Sequence, residues 1–272
     1  MNPMRLEYKY LIRTSELQDL KNDLSPFVNL DEYAEKMEGK EYTVRSIYYD
    51  SMRLDDYQDK LAGLQIRKKL RIRGYNKVED NSLVFLEVKR KYENFIYKNR
   101  APVLYHDLDE ILITSDINRL LVKKKNYFNA QNDALQFFYI LKTKNYGPVT
   151  LVVYDREAFY SKHDLTLRIT FDKNLRSKPL VKTSELFSET GLKHTMYGYF
   201  ILEIKFFGGF PKWLQNILSK YELNRQAVSK YVSCVDNHSE LRKFVYERKL
   251  LIPSPFGSES TKNWKEQLKN AG

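Results

Sequence analysis

The residues best placed to do chemistry are cations spaced two apart. Between positions 64 and 75, Leu64, Ile66, Lys68, Leu70 and Ile72 fall on one parity. Gln65, Arg67, Lys69, Arg71 and Arg73 fall on the other. On a strand alternate side chains share a face, so these four cations form a row with a repeat of about 6.8 Å. Segment 83–91 repeats the pattern, with Glu87, Lys89 and Lys91 against Val84, Leu86, Val88 and Arg90. Arg5, Glu7 and Lys9 share a face, as do Tyr154 and Arg156, Arg168 and Asp172, and Glu203 and Lys205. Such rows suit a ligand carrying many negative charges. Arginine offers a forked pair of donors to phosphate, and lysine a mobile point charge. The interspersed carboxylates would repel phosphate unless they neutralise neighbouring cations or hold a divalent metal. Oxygen ligands select Mg²⁺ or Mn²⁺.

Other chemistries are excluded by what is missing. The 272 residues contain no GxxxxGK[ST] or GxGxxG run, no GxSxG elbow, and no HxxxH or HExxH pair among four histidines. Cys234 is the single cysteine, which rules out an internal disulfide and a cysteine-based zinc site. A phosphate site must therefore be built from side chains. Residues 1–10 lack the apolar core of a secretory signal, and no run approaches the ~20 apolar residues of a membrane span. A soluble, reduced, cytoplasmic setting is expected. The net charge of +11 points to an anionic partner.

Eight segments have strand alternation, at about 5–12, 42–50, 64–75, 83–91, 97–104, 149–157, 165–172 and 199–207. Helices are expected after Thr14 or Ser15, over 107–125 and 131–142, from Pro211 at a first helical position, from about Arg225 into Val235, and on the surface over 239–250. Residues 1–250 read as one domain, and 251–272 as a tail. The expected fold is α+β, an eight-stranded antiparallel barrel with helices packed around the outside. A barrel of this size can turn its charged faces inward around a small ligand space. That inner face would carry Arg5, Lys9, Arg67, Lys69, Arg71, Arg73, Lys89, Lys91, Lys98, Arg100, Arg156, Arg168 and Lys205. Against them stand Glu7, Asp50, Glu87, Asp172 and Glu203. So large an excess calls for a linear triphosphate or a longer polyphosphate.

The motifs Arg5-Leu-Glu-Tyr-Lys9-Tyr10, Arg45-Ser-Ile-Tyr-Tyr-Asp50, Arg67-x-Lys69-x-Arg71-x-Arg73-x-Tyr75 and Glu87-Val-Lys89-Arg-Lys91 are followed in order by four more. These are Tyr154-x-Arg156, Leu167-Arg168-x-Thr-Phe-Asp172, Glu203-Ile-Lys205-Phe206 and Ser229-Lys230-Tyr231. With these residues the chain resembles the triphosphate tunnel metalloenzymes, and within them the VTC domain, a polyphosphate polymerase domain. The resemblance implies an eight-stranded tunnel. It implies that Lys9, Arg71, Arg73, Lys89, Arg156, Arg168, Lys205 and Lys230 bind phosphates, beside Arg67, Lys69, Lys91 and Arg100. Tyr154 would donate to a phosphate oxygen, and Ser229 and Lys230 would close one tunnel end from a helix. Glu203 would hold the Mn²⁺ or Mg²⁺, with Glu7 or Glu87. Arg71, Arg73, Lys89, Arg156, Arg168 and Glu203 would carry catalysis.

The simpler hydrolases have ExExK where this chain keeps one glutamate, Glu7, before Lys9, which is the VTC-like form. Ala227 and Val228 stand where such domains can carry a further phosphate-binding lysine. The expected activity is transfer of the γ-phosphate of ATP to a growing polyphosphate chain, with no protein nucleophile. Water as acceptor would make the same site a triphosphatase. A binder without turnover is the non-enzymatic alternative, and its partner is not expected to be nucleic acid. This chain carries no membrane segment, so any membrane association would come through a partner.

Overall fold

Alternation along the chain becomes a sheet with one apolar and one charged face. The computed structural model describes residues 5–92, 95–122 and 127–243. The strands are β1 (Arg5–Arg13), β2 (Val28–Leu30), β3 (Tyr42–Asp50), β4 (Ile66–Tyr75), β5 (Leu83–Tyr92), β6 (Phe95–Leu104), β7 (Gly147–Ser161), β8 (Arg168–Pro179), β9 (Lys193–His194) and β10 (Tyr199–Phe207). The helices are α1 (Leu17–Leu24), α2 (Glu32–Glu35), α3 (Asp55–Leu61), α4 (Leu108–Thr114), α5 (Ile117–Leu120), α6 (Ala130–Thr143), α7 (Lys212–Lys220) and α8 (Lys230–Asp236). All eight expected strands form, and every pairing is antiparallel. The short β2 and β9 add to β7 and β8.

The strand order is β1-β10-β8-β7-β3-β4-β5-β6, and the sheet curls strongly into a half-barrel. This corrects the expected closed barrel: β1 and β6 are not paired. The reason lies in their edges, whose backbone groups are taken by other segments. The carbonyl of Lys9 on β1 accepts from Gln226 N at 2.8 Å. On β6, Arg100 N donates to the Asp133 carboxylate of α6 at 2.8 Å, and the Pro102 carbonyl accepts from Val122 N at 3.1 Å. Side chains span the seam instead, with Lys89 Nζ of β5 3.3 Å from Glu7 of β1.

Two outer cores hold the curl. Leu70, Ile72, Leu86, Val88, Ala101 and Val103 pack under α4 and α6 through Ile111, Ala134 and Phe137. Ile12, Ile169, Phe171, Leu202 and Phe206 pack under α1 and α7 through Leu20, Leu24 and Leu214. There Trp213 stacks on Phe27 at 4.5 Å, a packing role. Pro211 is the extended cap of α7 rather than its first helical residue.

A third cluster sits inside the curl. Tyr231, Cys234 and Val235 of α8 pack on Val44, Tyr48, Val152 and Tyr154 of β3 and β7. The helix expected from Arg225 begins only at Lys230. Gln226 N is drawn to β1, and Ser229 stays extended while its Oγ accepts from Val232 N. Residues 239–243 are helical. The rest of the expected 239–250 helix, Lys123–Lys125, Trp264 and the tail 251–272 lie outside the described residues.

Candidate phosphate tunnel

Register decides how the charges meet. Glu87 of β5 lies opposite Arg71 of β4 and Arg100 of β6. Lys9 and Glu7 of β1 lie opposite Glu203 and Lys205 of β10, and Arg156 of β7 opposite Asp172 of β8. Opposite charges directly across a ladder stabilise it. Nearer α3 the pattern changes: Arg67 faces Lys91, and Lys69 faces Lys89, which faces Lys98. Like charges in register cost stability unless something anionic lies over them.

Glu87 is fully buried. Its carboxylate accepts from Arg71 Nε at 2.8 Å and is within 2.9 Å of Lys98, 3.2 Å of Arg100 and 3.9 Å of Arg73. Burial alone would push its pKa up, but these four cations hold it well below the ordinary range. Glu87 thus anchors the arginine row from beneath and does not reach Glu7 and Glu203. Arg71 also donates to Tyr48 Oη at 2.9 Å, and Arg73 to Ser46 Oγ at 3.1 Å.

Glu7 and Glu203 share their partners. Lys9 Nζ is 3.0 Å from Glu7 and 3.4 Å from Glu203, and Lys205 contacts both. Burial and the Glu203 charge push Glu7 up, yet Lys9, Lys89 and Lys205 outweigh them and bring it down to about 2. Glu203 is also held ionised: burial opposes it, and Lys205, Lys9, Lys230 and Arg156 prevail. Lys9 is shifted up, since its two glutamates outweigh its burial. Lys205 is pulled down to about 8 by burial, which its glutamates only partly offset.

Arg156 grips Asp172 with two bonds, at 2.5 and 2.7 Å, and Lys230 reaches the same carboxylate from α8. A bulge in β7 between Val153 and Asp155 sets Tyr154 beside these cations. Arg156 lies 5.3 Å and Lys230 4.7 Å from its ring. Arg168 donates to Tyr42 Oη at 3.2 Å and pairs with Asp31 at 3.4 Å. Lys69 donates to Ser229 Oγ at 2.7 Å, and burial lowers its pKa strongly.

Two cavities occupy the concave side, of about 670 and 940 Å³. The first is lined by Lys9, Arg67, Lys69, Lys91, Tyr154, Glu203, Ser229 and Lys230, and the second by Arg5, Lys98, Arg100 and Arg168. They meet at a shared waist of Glu7, Arg71, Arg73, Lys89, Arg156 and Lys205. Each of the thirteen cations expected on the inner face lines one or both. Asp50 does not: it accepts from the backbone N–H groups of Ser51, Asp56 and Tyr57 and from Tyr231 Oη, tying α3 to α8. Lys60, Lys68 and Arg225 also line the first cavity, although sequence reasoning passed over them. Arg225 follows α7 in a loop, where the sequence pattern reads as the start of a helix. Lys68 sits on the apolar parity of β4.

For a divalent metal, the fit lies with Glu7 and Glu203. Both are ionised oxygen donors held by common partners, the chemistry that Mg²⁺ and Mn²⁺ favour. No three His, Cys, Asp or Glu side chains converge on one point among the described residues. Phosphate oxygens would have to complete the coordination, as is usual for Mg²⁺.

A curled antiparallel sheet with a cation-lined passage through its concave side defines the triphosphate tunnel class. Within it the chain belongs to the VTC domain family, whose model matches residues 4–238. Comparison with curated protein sequences gives no match. Among solved structures, the PH1819 protein from Pyrococcus horikoshii OT3 is similar at 14% identity, with 86% of this chain and 99% of that one covered and a TM-score of 0.45. HpAC1 from Hippeastrum, described as having a dominant triphosphatase activity, is similar at 13% identity, covering 84% of this chain and 93% of that one, with a TM-score of 0.46.

Proposed function

We propose that the protein is a metal-dependent polyphosphate polymerase that transfers the γ-phosphoryl group of ATP to a growing inorganic polyphosphate chain. The observation that supports this most is the pair of cavities meeting at one waist. A transferase with a polymeric product needs one end for the donor and another for the chain, whereas a hydrolase needs only one mouth. The like charges set in register, Arg67 against Lys91 and Lys69 against Lys89, suit a polyanion on the α3 side. Arg225 supplies charge near Ala227 and Val228. The tunnel closes in this reading through side chains across the β1–β6 seam rather than through a ladder.

Phosphoryl transfer depends on positioning and charge neutralisation more than on covalent help from the protein. Arg71, Arg73, Arg156 and Arg168 clamp the transferring group, and Lys89 and Lys205 meet it at the waist. An oxygen of the chain's terminal phosphate attacks the γ-phosphorus in line. The bond to the bridging oxygen of ADP breaks, and ADP keeps that electron pair. Tyr154 donates to a phosphate oxygen, and Lys9, Lys69, Lys91, Arg100, Ser229 and Lys230 orient the rest. Glu203 and Glu7 would hold the metal, which supplies Lewis acidity at phosphate oxygens. Glu87 serves as counter-charge. The free, buried Cys234 accords with a cytoplasmic setting.

The test incubates the purified protein with ATP and Mn²⁺ and compares Arg73→Ala with the parent. Loss of synthesis by at least about 100-fold, the scale of removing one electrostatic donor, supports the assignment. Intact synthesis in Arg73→Ala or Glu203→Ala refutes it.

A further inference from the structure

The two ends of the passage differ in chemistry. At the larger cavity's mouth five rings follow one another. Tyr33 of α2 meets Tyr42 at 5.0 Å and Tyr75 at 6.4 Å between ring centroids. Tyr75 meets Phe85 at 6.1 Å, and Phe85 meets Tyr127 at 5.8 Å. All five line the cavity, beside Arg73 and Arg168. Tyr42 and Phe85 are buried, so packing explains them, but Tyr33 is 44% exposed at the mouth. The arrangement is built rather than loose. Asn76, at φ +55°, donates from its amide to Tyr33 Oη at 3.1 Å, and its Oδ1 accepts from Thr43 N at 3.0 Å. Arg100 donates to Tyr75 Oη at 3.0 Å and lies 5.6 Å from that ring.

Among the described residues the other end has no such exposed run of rings. Of the rings lining it, Tyr8 is roofed by the Arg225 guanidinium at 4.3 Å, the buried Tyr48 stacks on Tyr231 at 4.9 Å, and the buried Tyr154 lies beside Arg156 and Lys230. The exposed Tyr92 and Tyr97 nearby lie on the sheet's outer parity, in a separate cavity with Ile66 and Arg90.

We infer that the Tyr33–Tyr75 mouth is a nucleoside platform, where the base of a nucleoside triphosphate stacks while its phosphates run inward past Arg168 and Arg73. This rests on the reading of the tunnel as a triphosphate site. Every base has a π-face, so stacking takes any of them. Of the polar side chains at this mouth, the Asn76 amide is engaged as above and Ser82 Oγ accepts from Glu79 N, while Lys77, Glu79 and Asn81 also line it. The platform therefore favours nucleoside triphosphates over bare tripolyphosphate.

Calorimetric titration of the intact protein with ATP, GTP and inorganic tripolyphosphate tests this. ATP and GTP should each bind tighter than tripolyphosphate. Tyr33→Ala should weaken both nucleotides by about 10-fold, within the range for one lost stacking partner. Tyr33→Phe keeps the ring and should restore them, and neither variant should move tripolyphosphate beyond about twofold. Equal losses for all three ligands, or unchanged ATP binding in Tyr33→Ala, overturn the platform and leave the triphosphate site standing. If no ligand binds the parent protein, the triphosphate reading falls and the platform with it.

Discussion

Glu87 holds four cations in place from a fully buried position. Removing one partner from a buried charge cluster leaves the rest uncompensated and costs about 3–5 kcal/mol. Glu87→Gln, nearly unchanged in shape, should lose stability of that order in urea unfolding, and tripolyphosphate should return part of it by supplying the missing negative charge. Lys205 gives a pH signature. Its pKa near 8 lies below that of an unfolded lysine. Between about 8 and 10.4 the unfolded chain binds a proton that the folded one lacks, so this lysine makes the free protein more stable as pH rises. Anion binding runs the other way. Raising pH from 7 to 9 removes a cation at the waist, and triphosphate affinity should fall by up to about 10-fold, the factor for a ligand that raises the lysine's pKa by one unit. Lys205→Arg should flatten that profile in a binding titration. The residue types and their faces were legible from alternation alone. Depth was not: parity puts Glu87 and Glu203 on one face, but only the register shows Glu87 flanked by Arg71 and Arg100.

Among elements, β4 carries the longest cation row and packs where it turns toward the platform. Gly74 lies opposite Arg45 of β3, and a Cβ there would come within 2.6 Å of the Phe187 ring. The contact is with the far end of a side chain, so Phe187 would shift rather than the strand. Gly74→Ala should cost about 1–3 kcal/mol, the usual range for overpacking, read as a fall in Tm of several degrees. The eight long strands were legible because each alternates over many residues. The three-residue β2 and two-residue β9 were not, because they exist only by adding to β7 and β8. The start of α8 was missed for a similar reason. Residues 225–229 continue a helical pattern, but the bond from Gln226 N to the Lys9 carbonyl competes with it from more than 200 positions away.

At the scale of the molecule, the charge of +11 gathers on the concave face. The sequence placed the cations on one surface but could not decide between a closed and an open sheet. That choice depends on Asp133, Val122 and Gln226 reaching the edge strands, contacts that no local pattern announces. An open seam bridged by Lys89 and Glu7 still leaves a passage with two chemically distinct ends, and the account rests on that asymmetry. The most direct test is chain-length analysis of the product made from γ-labelled ATP with Mn²⁺. The account predicts label in phosphate chains many units long, with ADP released in step. Label appearing only as orthophosphate would contradict it and make the protein a triphosphatase.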